Sequence, residues 1–194
     1  MTQCKIAVLI GSLRQDSYNR RLARAIEKLM PARFGFAHVR IDDLPLYSQD
    51  MDSQYPPAAS RLKQEIESAD ALLFVTPEYN RSIPGVLKNA IDIASRPYGA
   101  NSFAGKPGAV LGISVGTIGT ALAQAHLRMM LAYLDVHVLG QPEVYLQFKD
   151  DVISPAGDIG NEATQRFLQG FVERYVAWIE RMTMRREAEM ATTT

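Results

Sequence analysis

Apolar runs and amphipathic stretches alternate along the whole chain. Ile6-Ala7-Val8-Leu9-Ile10 is an unbroken apolar run that stops at Gly11, the pattern of a central parallel strand covered on both faces. Leu22, Ala25, Ile26, Leu29 and Met30 then recur at helical spacing, so a helix follows the intervening loop. The same alternation predicts strands over 36–41, 71–75 and 108–113, helices over 58–68 and 84–94, and a further helix ending near Leu134. Pro84 suits the first turn of its helix, where a missing N–H costs little. A last strand begins at Val136, breaks at 140–142 and resumes at Val144. The final helix, 161–182, carries Phe167, Phe171, Val172, Tyr175, Val176 and Ile179 on one face. From Arg185 onward the chain reads as a frayed polar tail. Together these segments predict an α/β fold, a doubly wound, five-stranded parallel sheet with helices on both faces.

Polar loops follow the first, third and fourth strands, and in such a sheet they meet at the carboxyl edge, where ligands bind near the reversal of strand order. The first, Gly11-Ser12-Leu13-Arg14-Gln15-Asp16-Ser17-Tyr18-Asn19, opens a helix N-terminus. Unpaired N–H groups and the helix dipole favour an anion there, with Ser12, Ser17 and Asn19 as short donors and Arg14 as a cation. Ser and Asn are also ordinary helix caps, so capping is the competing reading. The second loop, Thr76-Pro77-Glu78-Tyr79-Asn80-Arg81-Ser82-Ile83-Pro84-Gly85, joins a rigid turn to an aromatic ring and an amide, a combination able to border a flat heterocycle or simply to turn the chain. The third runs from Ser114 to Gly119. The long passage from Asp42 to Pro57 is expected to line a site or an interface.

The 194 residues, 47% of them hydrophobic, predict a single domain over 1–184 with the tail over 185–194. Lys plus Arg and Asp plus Glu both total 21, so no basic field points to nucleic acid or an anionic membrane. The single Cys4 excludes a disulfide framework within the chain and reads as a buried, inert thiol. His38, His126 and His137 are scattered without metal-ligand spacing. With no secretion signal and no apolar run long enough to span a bilayer, a cytoplasmic location is expected. No G-x-G-x-x-G and no G-x-x-x-x-G-K-[ST] occurs, which argues against a dinucleotide Rossmann site and ATP-driven phosphoryl transfer. Gly11-Ser12 and Thr76-Pro77 stand where a receiver-type phosphorylation domain needs acids.

The ordered set Gly11-Ser12-Leu13-Arg14 with Ser17 and Asn19, Pro77-Glu78-Tyr79-Asn80 through Asp92, Ser95-Arg96-Pro97, and Ser114 with Gly116 resembles the NAD(P)H-dependent FMN reductases of flavodoxin-like fold, particularly their chromate and quinone reductase branch. The resemblance covers nearly the whole chain. It implies that Ser12, Leu13, Arg14, Ser17 and Asn19 hold the FMN phosphate, that Pro77, Glu78, Tyr79 and Asn80 border the isoalloxazine, and that Ser114 and Gly116 complete the pocket. It further implies NADPH or NADH as reductant and a small-molecule acceptor such as a quinone, a flavin or chromate, served in turn by a ping-pong mechanism. The flavin carries the hydride chemistry, so no protein acid or base is needed. Arg96 and Tyr79 are expected substrate contacts, although Arg96 also suits a helix C-terminus, and Glu78 reads as solvated. Homodimers or homotetramers are implied, with Arg128 and Glu143 as candidate contacts between pairs. The alternatives are an FMN-binding electron-transfer protein without NAD(P)H activity, and a flavin-free interaction module. Balanced charge disfavours the carrier, which usually shows its partners an acidic face.

Overall fold

The computed structural model describes residues 4–150 and 152–192. Strands β1 (Cys4–Ile10), β2 (Phe34–His38), β3 (Ala71–Val75), β4 (Pro107–Ser114), β5 (His137–Val138) and β6 (Val144–Gln147) form one parallel sheet in the order β2-β1-β3-β4-β5, with β6 also paired to β4. Strands β5 and β6 are two halves of one edge column. β5 pairs with Pro107 and Gly108, β6 pairs with Leu111 to Ser114, and the predicted break at 140–142 separates them. The five-column prediction therefore holds, and a sixth strand appears only because the edge is interrupted.

Helices α1 (Tyr18–Leu29), α2 (Pro57–Glu67), α3 (Gly85–Ala94), α4 (Ala121–Tyr133) and α5 (Glu162–Thr192) cover both faces. Alternate residues of each strand point to opposite sides, so the core divides in two. Ala7, Leu9, Leu72, Phe74 and Val110 pack with α2, α3 and α4, whereas Ile6, Val8, Leu73, Ala109 and Leu111 pack with α1 and α5. The chain remains helical to Thr192 where a frayed tail was expected from Arg185. Leu168, Phe171, Val172, Tyr175 and Ile179 bury the N-terminal part of α5, and the fully buried Tyr175 hydroxyl donates to Leu72 O at 2.7 Å.

Two further contacts set the surroundings of the carboxyl edge. A Cβ on Gly112 would lie 2.1 Å from Thr120 Oγ1 and 2.2 Å from Thr76 O, so only glycine lets the loop after β3 and the start of α4 close over β4. Along α3, Asn89 accepts from Tyr47 N at 2.8 Å and donates to Pro45 O at 2.9 Å, which binds the long 42–57 passage to that helix. Arg128 and Glu143 lie 3.8 Å apart within one chain, and Arg128 donates to Leu139 O at 2.7 Å. The arginine thus ties α4 to the residue that follows β5 within the chain.

Candidate active site

The strand order reverses between β1 and β3, and the chain leaves both strands at the carboxyl edge into the loops singled out above. There Ser12, Arg14, Ser17, Asn19, Pro77, Glu78, Tyr79 and Ser114 line one cavity of about 150 Å³. Three segments far apart in sequence converge on it.

At the β1–α1 end, backbone N–H groups from Leu13 to Asn19 have no partner within the chain among the described residues. They surround the N-terminus of α1, whose first turn holds no acidic residue to compete for an anion. Ser17 caps the helix by accepting from Arg20 N at 3.4 Å, which leaves its O–H proton available. Capping and anion binding are therefore compatible at this residue. Asp16, the nearest acid, is bonded to Arg21 at 2.6 Å, and that hydrogen bond holds its carboxyl below the usual carboxylate range. Arg14 lies 5.2 Å from the centre of the Tyr18 ring, which itself stacks on Phe148 with centroids 3.6 Å apart. An aromatic shelf thus underlies the cation.

Asn19 is only 3% exposed. Its Nδ2 donates to Ile113 O at 3.0 Å and its Oδ1 accepts from Ile113 N at 3.2 Å, so the amide joins α1 to β4 at the floor of the cavity. One donor proton remains for a ligand.

In the second loop, Tyr79 and Ser82 exchange backbone hydrogen bonds at 2.9 and 3.0 Å around Asn80 (φ 51°) and Arg81 (φ 65°). Two left-handed central residues make a type I′ turn, which presents Tyr79 half exposed at the cavity mouth. The Glu78 and Asn80 N–H groups have no partner among the described residues, so the turn offers donors to the rim of a flat ring. The Glu78 side chain departs from its solvated expectation. Its Oε2 accepts from Leu122 N and Ala123 N, both at 3.1 Å, capping α4, while Oε1 sits 3.4 Å from Arg81. In the third loop, Ser114 Oγ donates to Gly119 O, and Gly119 adopts φ +61° where a Cβ would meet Tyr145 C at 2.9 Å.

Several expected residues lie elsewhere. Leu13 faces a neighbouring groove, Asn80 and Gly116 are off the cavity lining, and Arg96 sits past the far end of α3 in a separate cavity with Lys88, Asp92, Met129 and Tyr133. Tyr18, Ile113 and Val115 line the site without having been singled out. His126 on α4 lies beside the turn, its Nδ1 3.1 Å from Ser82 Oγ. No group of three His, Cys, Asp or Glu residues suited to a metal occurs among the described residues.

The arrangement fits a phosphorylated, flat ligand. Unpaired N–H groups, hydroxyls and a guanidinium suit the phosphate, and Pro77, Tyr79, Ile113 and Val115 supply an apolar shelf with amide donors at its rim.

The model of the NADPH-dependent FMN reductase family matches residues 4–151. A 2-hydroxy-1,4-benzoquinone reductase from Burkholderia sp. is 55% identical over 175 residues, 90% of this chain and 96% of that protein. The solved structure of FerB, a flavoenzyme NAD(P)H:(acceptor) oxidoreductase from Paracoccus denitrificans, superposes with a TM-score of 0.89 at 47% identity, covering 92% of this chain and 98% of the other. A flavodoxin from Pseudomonas aeruginosa shares the fold alone, at a TM-score of 0.55 and 22% identity over 88% and 98% of the two chains.

Proposed function

The chain belongs to the NADPH-dependent FMN reductase family, with FMN as cofactor and NAD(P)H as reductant, and on that premise we propose that its acceptor is a small quinone. Two things support the acceptor: the similarity to a benzoquinone reductase, and a ring-side shelf whose half-exposed Tyr79 leaves one face open to a flat, apolar oxidant. Other small oxidants, chromate among them, would meet the same face.

The observation that carries the cofactor reading is the row of unpaired N–H groups from Leu13 to Asn19, backed by Ser12, Ser17 and Arg14. These groups are proposed to hold the FMN phosphate, with Pro77, Tyr79 and the free amides of Glu78 and Asn80 along the isoalloxazine. When bound, FMN would supply the hydride and electron-transfer chemistry between nicotinamide and acceptor. The protein's part is to fix the ring by its rim, anchor its phosphate and leave one face free. Among the lining residues no side chain has to move a proton.

Purified protein should be yellow, and anaerobic NADPH or NADH should bleach it, with quinone restoring the colour. One open face used in turn by both substrates predicts parallel double-reciprocal lines. Intersecting lines would reject the shared face, and retention of colour under both nucleotides would reject the reductase in favour of an electron carrier.

Homodimers or homotetramers are proposed through the face formed by α3 and α4. Tyr133 is 80% exposed and Met129 67%, beside a cavity of about 290 Å³ that also holds Arg96. What supports this face is that the two exposed side chains lie on one helix and adjoin one cavity, since grouped rather than scattered apolar exposure favours association. Arg96 would then stand at a subunit boundary and meet substrate from across it. Light scattering should give twice or four times the mass of one chain, and Tyr133→Glu should lower it; a monomer at micromolar concentration would refute the assembly.

A further inference from the structure

The groove between α1 and the end of β2 is larger than the proposed flavin-phosphate cavity, about 400 Å³ against about 150 Å³, and of its lining only Ser12 and Leu13 enter the flavin reading. Its floor includes Val39 and Ile41, both buried. Arg20 and Arg24, one turn apart on α1, line it with Arg40, and Asp42 lies beside them. Arg40 is bonded to Asp42 at 2.8 Å and lies 3.7 Å from Asp43, so its charge is largely answered. Arg24 gives one nitrogen to Pro155 O at 2.7 Å. Arg20 makes no side-chain hydrogen bond or ion pair among the described residues.

We infer that this groove takes the phosphorylated adenosine end of a dinucleotide. The inference rests on the reading of the β1–α1 loop as the flavin-phosphate cradle, because Ser12 lines both cavities and makes them neighbours. Each part of the ligand has a counterpart. An adenine can lie on Val39 and Ile41 under an arginine plane, a phosphate can take paired N–H donors from Arg20 and Arg24, and the Asp42 carboxylate can accept from a ribose hydroxyl. In dinucleotide Rossmann folds the adenosine ribose is addressed by an acid when its 2′-hydroxyl is bare and by an arginine when it is phosphorylated; this chain lacks their glycine fingerprint, and only the chemistry of that choice carries over to the end of β2. Here three arginines, Arg20, Arg24 and Arg40, face the single carboxylate of Asp42, and that excess of positive charge favours a phosphate. Two dinucleotides could span the two cavities: FAD, continuing outward from the flavin phosphate, and NADPH, lying across it.

The test is calorimetric titration of the FMN-loaded protein with 2′,5′-ADP, alongside fluorescence titration of the apoprotein with FMN and with FAD. Wild type should bind 2′,5′-ADP, or bind FAD at least tenfold more tightly than FMN. Arg20→Gln, and separately Arg24→Gln, should weaken that binding tenfold or more while the FMN Kd changes less than twofold. A response confined to 2′,5′-ADP assigns the groove to NADPH, and an FAD advantage lost in Arg20→Gln assigns it to the flavin dinucleotide. Normal FMN binding with neither response, or a response indifferent to both variants, overturns the groove and leaves the flavin reading intact. Failure of wild type to bind FMN at all would overturn both.

Discussion

Asn19→Ala should lower stability by about 2–6 kcal/mol and weaken FMN binding at least tenfold, an effect large against the roughly 5–15 kcal/mol that holds a domain together. The argument begins with the sheet. β3 pairs with β4 up to Val75 and Leu111, and the next bond, Thr76 N to Leu111 O at 3.0 Å, is the last before the chain turns away. Ile113 would then face the gap with an unpaired N–H and C=O. The Asn19 amide fills it, offering a donor and an acceptor in the arrangement of a peptide group. Alanine leaves two buried backbone groups without partners, each costing about 1–3 kcal/mol, and frees the first turn of α1 from β4. Asn19→Asp separates the two roles. A carboxylate can still accept from Ile113 N, but it opposes Ile113 O and adds a negative charge beside the proposed phosphate, so flavin affinity should fall further than stability. Urea midpoints and flavin fluorescence read the two quantities independently; a midpoint unchanged in Asn19→Ala would defeat the claim that this amide completes the sheet.

The contrast between Asn19 and Arg96 shows what a sequence can carry. Helix α1, the strand ahead of it and the loop between them are local, and hydrophobic spacing alone placed Asn19 at the carboxyl edge. Its two bonds to Ile113 span 94 positions, and no local pattern encodes them. Arg96, which follows the ring-bordering helix, is expected to meet substrate or to serve the helix C-terminus, and α3 runs away from the carboxyl edge. At about 1.5 Å per residue its ten residues carry Arg96 far from Tyr79 within the same subunit. The break in the edge strand was visible because Gly140 and Pro142 disrupt pairing locally. Tyr18 and Phe148 were not visible as a stack, since only the return of the chain past β6 brings them together. The long extension of α5 beyond 182 escaped for a different reason: its hydrophobic stripe ends there, and periodicity sees only buried faces.

Glu78→Ala should cost about 1–3 kcal/mol and loosen flavin binding, although the carboxylate serves a helix rather than the ring. Helix α4 begins without a side-chain cap of its own and with no acid in its first turn, because the buried Thr120 hydroxyl accepts from Gln124 Nε2 at 2.9 Å. Glu78 supplies both needs from 44 positions away, accepting two orphan N–H groups and placing a negative charge at the positive end of the helix. The same bond pins the residue preceding Tyr79, so the ring-side turn and the loop before α4 are held by one group. Glu78→Gln keeps an acceptor but gives up the charge, and should recover part of the stability and most of the flavin affinity. Amide hydrogen exchange distinguishes this role from direct ligand contact. In the alanine variant the Leu122 and Ala123 amides should exchange faster even in the apoprotein, where a residue acting only on FMN would leave them unchanged. Should those amides stay protected while flavin binding collapses, Glu78 touches the ligand directly and the capping account fails.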